Sequence, residues 1–433
     1  MIKKQLLSVA LSSIALVSSA QWTLSGGHVG DRQFTEKSSG VYELSLPGDT
    51  IYGKFLLKNG ADVRYGTNNT YVCPAMPYSL LTEGDSLMMA SSIASPVLTL
   101  DTNAGTLTAT GDVQPMYVYG DLAGGYWKSN HDGARELKYQ GNGIYKGEVQ
   151  MSGTNFAILQ ALCPDSITEN SLRGDYVAYY RFAPVVNKKI TYDTPVAMEK
   201  CVRGSEKNFI LSGYWTLIDV TANMANVTAE VSEIKAFNLN IETLYVIGSD
   251  LATASATSRW TDSGCDSGIP MTRSEADGAI TFAVNDVAIR ATASGTEDPR
   301  GEIQFANTLG SWEEIRSGYS LGWTNTTDTL TLNASNVTTA NVRDAGKYTT
   351  PFSLPTGKYD ISVTFNPASA TVLRAVQTST SAVETVATDE ADYNSPAEWY
   401  DLDGRRIPEP AANGVYIRRQ GSRTQKVWIF SDK

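Results

Sequence analysis

"MYVYGDLAGGYWK" occupies Met116–Lys128, and "LYVIGSDLATASATSRW" occupies Leu244–Trp260. Each opens on alternating strand-forming residues, breaks at a glycine beside a polar or acidic residue, and closes on an aromatic cluster or a tryptophan. Period-two alternation is the pattern of a half-buried strand, and glycine with Asp or Ser ends it. The same phrase written twice marks a repeated unit.

The unit extends well past the phrase. A third opening, "WTLSGGHVGD", begins at Trp22. Second strands follow at Gly40 ("GVYELSLPG"), Gly143 ("GIYKGEVQM") and Gly278 ("GAITFAVND"). Third strands stand at Ile51, Thr154 and Gly301 ("GEIQFANTLGSW"). Two units close on a Gly-aromatic corner between strands, at Gly213-Tyr214 and Gly357-Lys358-Tyr359, where the ring is expected to roof the sheet edge. Bounded by Gly, Asn, Asp and Pro, these runs are the signature of antiparallel hairpins. Two sheets of such strands over one core make a sandwich of roughly 100 residues. The expected fold is therefore all-β: three tandem immunoglobulin-like β-sandwich modules over residues 21–113 (the most divergent), 114–240 and 241–376, with almost no helix. A polar, acidic linker over 377–396 then leads to a small C-terminal β-domain over 397–433.

Composition agrees with this organisation. A chain of 433 residues is long enough for several cores, and its 22 tyrosines against 11 phenylalanines suit hydroxyl-rich sheets. Only 19% of residues are charged, the net charge is −11, and no basic run stands out, which argues against nucleic acid as a partner. Residues 1–20 read as a signal peptide: Lys3 and Lys4, an apolar stretch from Leu6 to Val17, then Ser18-Ser19-Ala20. No later apolar run is long enough for a transmembrane span. Export is expected. Cys73 is the first cysteine, so none stands at the cleavage point to carry a lipid. Cys163 and Cys201 fall in one expected module and are candidates to pair, whereas Cys73 and Cys265 are expected to stay free or buried. The absence of C-x-x-C argues against a structural zinc site.

Two resemblances rest on these residues. The strand from Leu244 to Gly248, Trp260, Phe305, Trp312 and the Gly357-to-Tyr359 corner together resemble Sus-type starch-binding proteins, most closely over 241–376. That resemblance implies a non-catalytic outer-membrane protein of tandem carbohydrate-binding sandwiches. Those proteins are lipidated, and this chain departs from them in lacking the cysteine. The tail, "WYDLDGRRI" with "GVYIRR" and "QKVWI", is similar to type IX secretion sorting domains through Gly404-Arg405, Gly414-Val415-Tyr416 and Lys426. It implies the export machinery as a partner and another route to the surface. The alternative for this basic tail is a stabilising cap, since Arg and Lys on edge strands oppose aggregation.

The tryptophans suggest the chemistry. A sugar ring presents a face of C–H groups that an aromatic face receives, while its hydroxyls seek Lys, Arg, Asn or Asp. The glycan-contact candidates are Trp260 and Trp312, with Arg259, Asn307 and Glu313 near in sequence, and Tyr126, Trp127 and Lys128. Tyr179 or Tyr180 is a candidate second ring for the latter group. The competing assignment for every ring is core packing; it outweighs ligand contact for Trp260 and Trp127, more so for Trp215, and Trp323 suits either.

Enzymatic readings fare worse. His28 and His131 fall in different units and no G-x-S-x-G is present. Acids such as Asp262, Asp266, Glu313 and Glu314 form no recognisable catalytic pair. "DTNAGT" at Asp101 lacks a calcium loop's terminal Glu and reads as a hairpin turn. The sequons at Asn68, Asn325, Asn333 and Asn336 mark polar loops. The expectation is a non-enzymatic protein without cofactor or metal, secreted or on the cell surface or outer membrane of a Gram-negative bacterium. Its expected partner is a polysaccharide or oligosaccharide of starch-like type, bound weakly. The alternative is a structural or adhesive surface protein with no sugar site.

Overall fold

Alternation in the sequence becomes alternation in burial. In Gly357–Asn366 every second residue is buried, which puts Tyr359, Ile361, Val363 and Phe365 on one face. Leu217–Asn223 alternates in the same way. The computed structural model describes residues 21–60, 63–65, 71–80, 86–164, 166–167, 169–201, 203–291, 299–323, 328–344, 349–380, 396–401, 405–408, 410, 414–420 and 423–429. The signal-peptide reading, most of the linker, Gly404, Asn68 and Asn325 lie outside the described residues.

The molecule is all-β, and its sheets are almost wholly antiparallel. Between Trp22 and Val113 a five-stranded sheet centred on Trp22–Gly26 and Lys54–Asn59 accompanies a six-stranded sheet centred on Ile93–Asp101. Leu24, Ile51, Phe55, Leu57, Leu98 and Leu107 fill their common core. From Met116 to Lys235 the 16-residue strand Ile144–Leu159 organises a nine-stranded sheet. Its first half pairs with Leu217–Asn223 and its second half with Met116–Leu122. From Tyr245 to Ser379 two seven-stranded sheets enclose Phe282, Phe305, Phe352, Phe365 and their neighbours. The "DTNAGT" stretch is a hairpin turn, with the Asp101 carboxylate accepting from the Asn103 and Ala104 N–H groups.

Among the described residues, helix is confined to α1 (Asn170–Tyr180) and α2 (Trp312–Ser317). The near-absence of helix expected from the sequence holds, and α1 is its longest exception. Its sequence is a poor helix former: Gly174 stands mid-helix and Glu169 makes no side-chain cap. Tertiary packing holds it instead. The Tyr180 ring lies 5.9 Å from that of Tyr52, and its hydroxyl shares a 2.9 Å hydrogen bond with His28 Nε2.

The chain divides into two compact units between Ala382 and Val383. The second holds a four-stranded antiparallel sheet of Glu398–Tyr400, Arg406–Ile407, Gly414–Gln420 and Arg423–Ile429. Within it Arg406 pairs with Glu398 at 3.0 Å, and the Arg418 guanidinium lies 5.7 Å from the centre of the Trp399 ring.

Candidate functional site

The two repeated phrases fold alike. Met116–Leu122 pairs with Ile144–Leu159, placing Gly120 opposite Phe156; Tyr245–Gly248 pairs with Arg300–Ala306, placing Gly248 opposite Ile303. The strands approach so closely that a Cβ on Gly120 would lie 2.3 Å from the Asn155 carbonyl oxygen, and one on Gly248 2.5 Å from that of Glu302. Only glycine fits. In both loops the tryptophan then returns to its glycine. Trp127 N–H donates to the Gly120 carbonyl at 2.6 Å, and Trp260 N–H to the Gly248 carbonyl at 2.9 Å. The phrase therefore encodes a closed loop that delivers an indole beside the end of a strand.

At the second such loop, Trp260 meets Trp312. Their ring centroids are 6.1 Å apart with 55° between the planes. Trp312 is the first residue of α2, which Ser311 and Glu314 close with a capping box. Its indole N–H donates to the Thr261 carbonyl at 3.0 Å, so both rings are fixed to one turn. Their inner sides pack on Ile247, Cys265, Ala306 and Ile315, leaving each half-buried. The Arg316 guanidinium stands 5.6 Å from the Trp312 ring centre, while Arg259 and Glu313 are exposed beside the pair. Asn307 is committed to structure, its side-chain oxygen accepting from Tyr319 N–H at 2.8 Å. Glu314 is also structural: its hydrogen bonds from the Ser311 hydroxyl and backbone hold the carboxyl below its usual range. The S-W-E-E run at Ser311 was the sequence signal for α2, and strand periodicity alone passes over it.

At the first loop, Trp127 lies at a cleft of about 370 Å³ whose walls come from residues 121–215 and 341–371. Trp127 occupies the left-handed backbone region (φ 49°), as does Trp215 (φ 55°), which also lines the cleft. Bulky residues in that region are rare and concentrate at ligand sites. The Trp127 indole N–H donates to Asp121 at 2.6 Å, and its ring meets Tyr119 edge-on with centroids 4.9 Å apart. Asp121 is buried and also accepts from Thr154 N–H, Asn155 N–H and the Asn155 amide. Its lone pairs are thereby consumed in holding the loop. Across the cleft, the Arg343 guanidinium lies 4.6 Å from the Tyr126 ring centre and 5.2 Å from that of Trp323.

The junction under this cleft is fixed by buried contacts. Gly124 N–H donates to Asp344 at 2.6 Å, and Tyr214 N–H to the Pro367 carbonyl at 2.8 Å. Trp215, 1% exposed, donates its indole N–H to Thr371 and packs edge-on against Phe365 and Tyr319. Its core assignment holds, but the core is the one formed mainly by residues after 239.

Other expected placements change. Tyr179 and Tyr180 supply no ring beside Trp127: they belong to α1, where Tyr180 meets His28 and the Lys200 ammonium stands 3.4 Å from the Tyr179 ring centre. Lys128 does not line the cleft; its stem crowds Gly133. Tyr359 does not roof an edge, being wholly buried with its hydroxyl donating to the Pro355 carbonyl. Cys163 and Cys201, candidates to pair, are separate thiols. Burial pushes the Cys73 thiol up to about 11, which leaves it unreactive at neutral pH.

No family model matches the chain, and no curated protein matches it. Among solved structures it is similar to SusF from Bacteroides thetaiotaomicron, with 10% identity over 92% of this chain and 77% of that one, at a TM-score of 0.20. A likeness at that score carries no weight, and the functional reading rests on the side chains.

Proposed function

We propose that this chain is an exported, non-catalytic surface protein that binds polysaccharide weakly through aromatic side chains. The observation that carries the reading is the Trp260–Trp312 pair, two half-exposed indoles fixed 6.1 Å apart on one turn with Arg259, Arg316 and Glu313 beside them. Tilted rings of this kind receive the C–H faces of successive sugar units, and charged neighbours take the hydroxyls at the ring edges. A second candidate surface, at Tyr126 and Trp127, makes avidity on a repetitive polymer available without tight individual contacts. In this reading the sandwiches are tandem modules, and the basic tail serves sorting by an export machinery that recognises Arg405, Val415-Tyr416 and Lys426.

Retardation in native gels loaded with starch, mannan or xylan tests it. Trp260→Ala and Trp312→Ala are expected to migrate faster than the parent in the gel that retards the parent. Equal migration of parent and variants in every gel would sink the pair as a platform. That outcome favours a structural or adhesive role, a reading already supported by the packing of both inner faces on Ile247 and Ile315.

A further inference from the structure

We infer that the cleft between residues 121–215 and 341–371 is a separate binding site for an uncharged oligosaccharide, with Arg343 as its principal hydrogen-bond donor. The inference rests on the polysaccharide reading but uses none of the residues of the Trp260–Trp312 edge.

Three observations converge. First, the cleft combines aromatic and polar walls: Tyr126 and Tyr214 offer rings, Asn341 an amide, and Arg343 a fork of N–H groups. A volume of about 370 Å³ is at the scale of a small-molecule pocket. Second, Arg343 is held for the purpose. The guanidinium carbon lies 4.6 Å from the Tyr126 ring centre and 5.2 Å from that of Trp323, contacts that restrict it, and no hydrogen bond or ion pair engages it among the described residues. A guanidinium restricted by rings keeps its fork of N–H groups for a ligand, and two vicinal hydroxyls accept from it at once. Third, the cleft is rigid before any ligand arrives. Trp215 forms part of its lining, and the Gly124–Asp344 hydrogen bond joins its two sides, so little ordering cost remains on binding.

The charge of the lining selects the ligand class. Asp121 and Asp344 line the cleft with Arg343, and the Arg135 guanidinium acts on Asp344, so a uronate or sulfate finds no net positive wall and must still approach two carboxylates. The whole chain carries −11, which repels an anionic polymer further. A neutral sugar incurs neither penalty. Because Tyr126 belongs to one group of strands and Arg343, Asn341 and Trp323 to the other, a bound sugar touches both and tightens the junction between them.

The test is calorimetric titration of the full chain with uncharged gluco-, manno- and xylo-oligosaccharides and with an oligogalacturonate. It begins from the Trp260→Ala/Trp312→Ala double variant, which lacks the other platform. Retained binding of at least one uncharged oligosaccharide is expected in that variant. Adding Arg343→Ala, or Tyr126→Ala, is expected to weaken it by about tenfold or more, the scale of one charge-assisted hydrogen bond. Arg343→Lys keeps the charge and loses the fork, and a similar loss is expected from it. Melting curves of each variant with and without sugar separate binding from folding: the ligand-induced rise seen in the parent should vanish with Arg343→Ala while the unliganded melt stays in place. Loss of all binding in the double variant, unchanged affinity with Arg343→Ala, or preference for the galacturonate each overturns the assignment. In the first case the tryptophan platform survives alone. If instead the double variant binds as the parent does and Arg343→Ala abolishes binding, the cleft stands and the platform falls.

Discussion

The backbone N–H of Trp260 donates to the carbonyl of Gly248 at 2.9 Å, closing the loop that the repeated phrase encodes. The contact depends on a glycine whose Cβ position is occupied by the Glu302 carbonyl of the neighbouring strand. Gly248→Ala is therefore expected to force the strands apart and to cost about 1–3 kcal/mol, the usual range for overpacking. Gly120→Ala should behave alike, because Asn155 lies closer still. Urea titration followed by tryptophan fluorescence checks both, and an unmoved midpoint would contradict the close approach.

Trp215 and Trp260 should separate cleanly by stability. Trp215 is 1% exposed and joins two groups of strands. Trp215→Ala is expected to cost about 3–5 kcal/mol, as for other emptied aromatic core positions. Trp260→Ala, half-buried at an edge, should cost well under half of that. Equal losses for the two would move Trp260 into the core and remove it as a ligand contact.

Lys200 gives a pH signature. Burial, with Lys54 nearby, pulls its ammonium from 10.5 down to about 8. The folded pKa lies below the unfolded one, so between pH 8 and 10.5 the unfolded chain holds more protons and stability rises with pH through this group. Lys200→Met removes the contribution. The melting temperature of the variant minus that of the parent is expected to fall steadily across this window. A difference that stays constant with pH refutes the shift.

The tail supplies a localisation test. Residues before 383 form a compact unit of their own. A chain truncated before Ser395 is expected to keep the parent's main unfolding transition and its retention by polysaccharide. Under the sorting reading it should also accumulate in the periplasm of the native host. Normal surface display of the truncated chain leaves the tail only as a stabilising cap.

Sequence by itself determined the strands and their turns. Alternation in "GKYDISVTFN" sends Tyr359, Ile361, Val363 and Phe365 inward whatever lies opposite, because successive strand residues point to opposite faces. The Asp101 turn was legible for the same reason, since its hydrogen bonds reach only two and three residues ahead. So was the place of Trp260 at the end of a glycine-broken strand. Tertiary structure alone decided the rest. α1 has weak helical propensity and no cap, and it exists through Tyr180 meeting His28 and Tyr52, contacts no local pattern announces. Tyr359 and Tyr126 each stand within two residues of a preceding glycine, yet one is sealed in a core and the other walls a cleft. Arg343 carries no motif in "NVRDAGK"; its meaning comes from the register that sets it against Tyr126. Backbone periodicity is a property of neighbours along the chain. The meeting of Gly124 with Asp344, 220 positions apart, depends on how whole sheets pack, and only the folded chain expresses it.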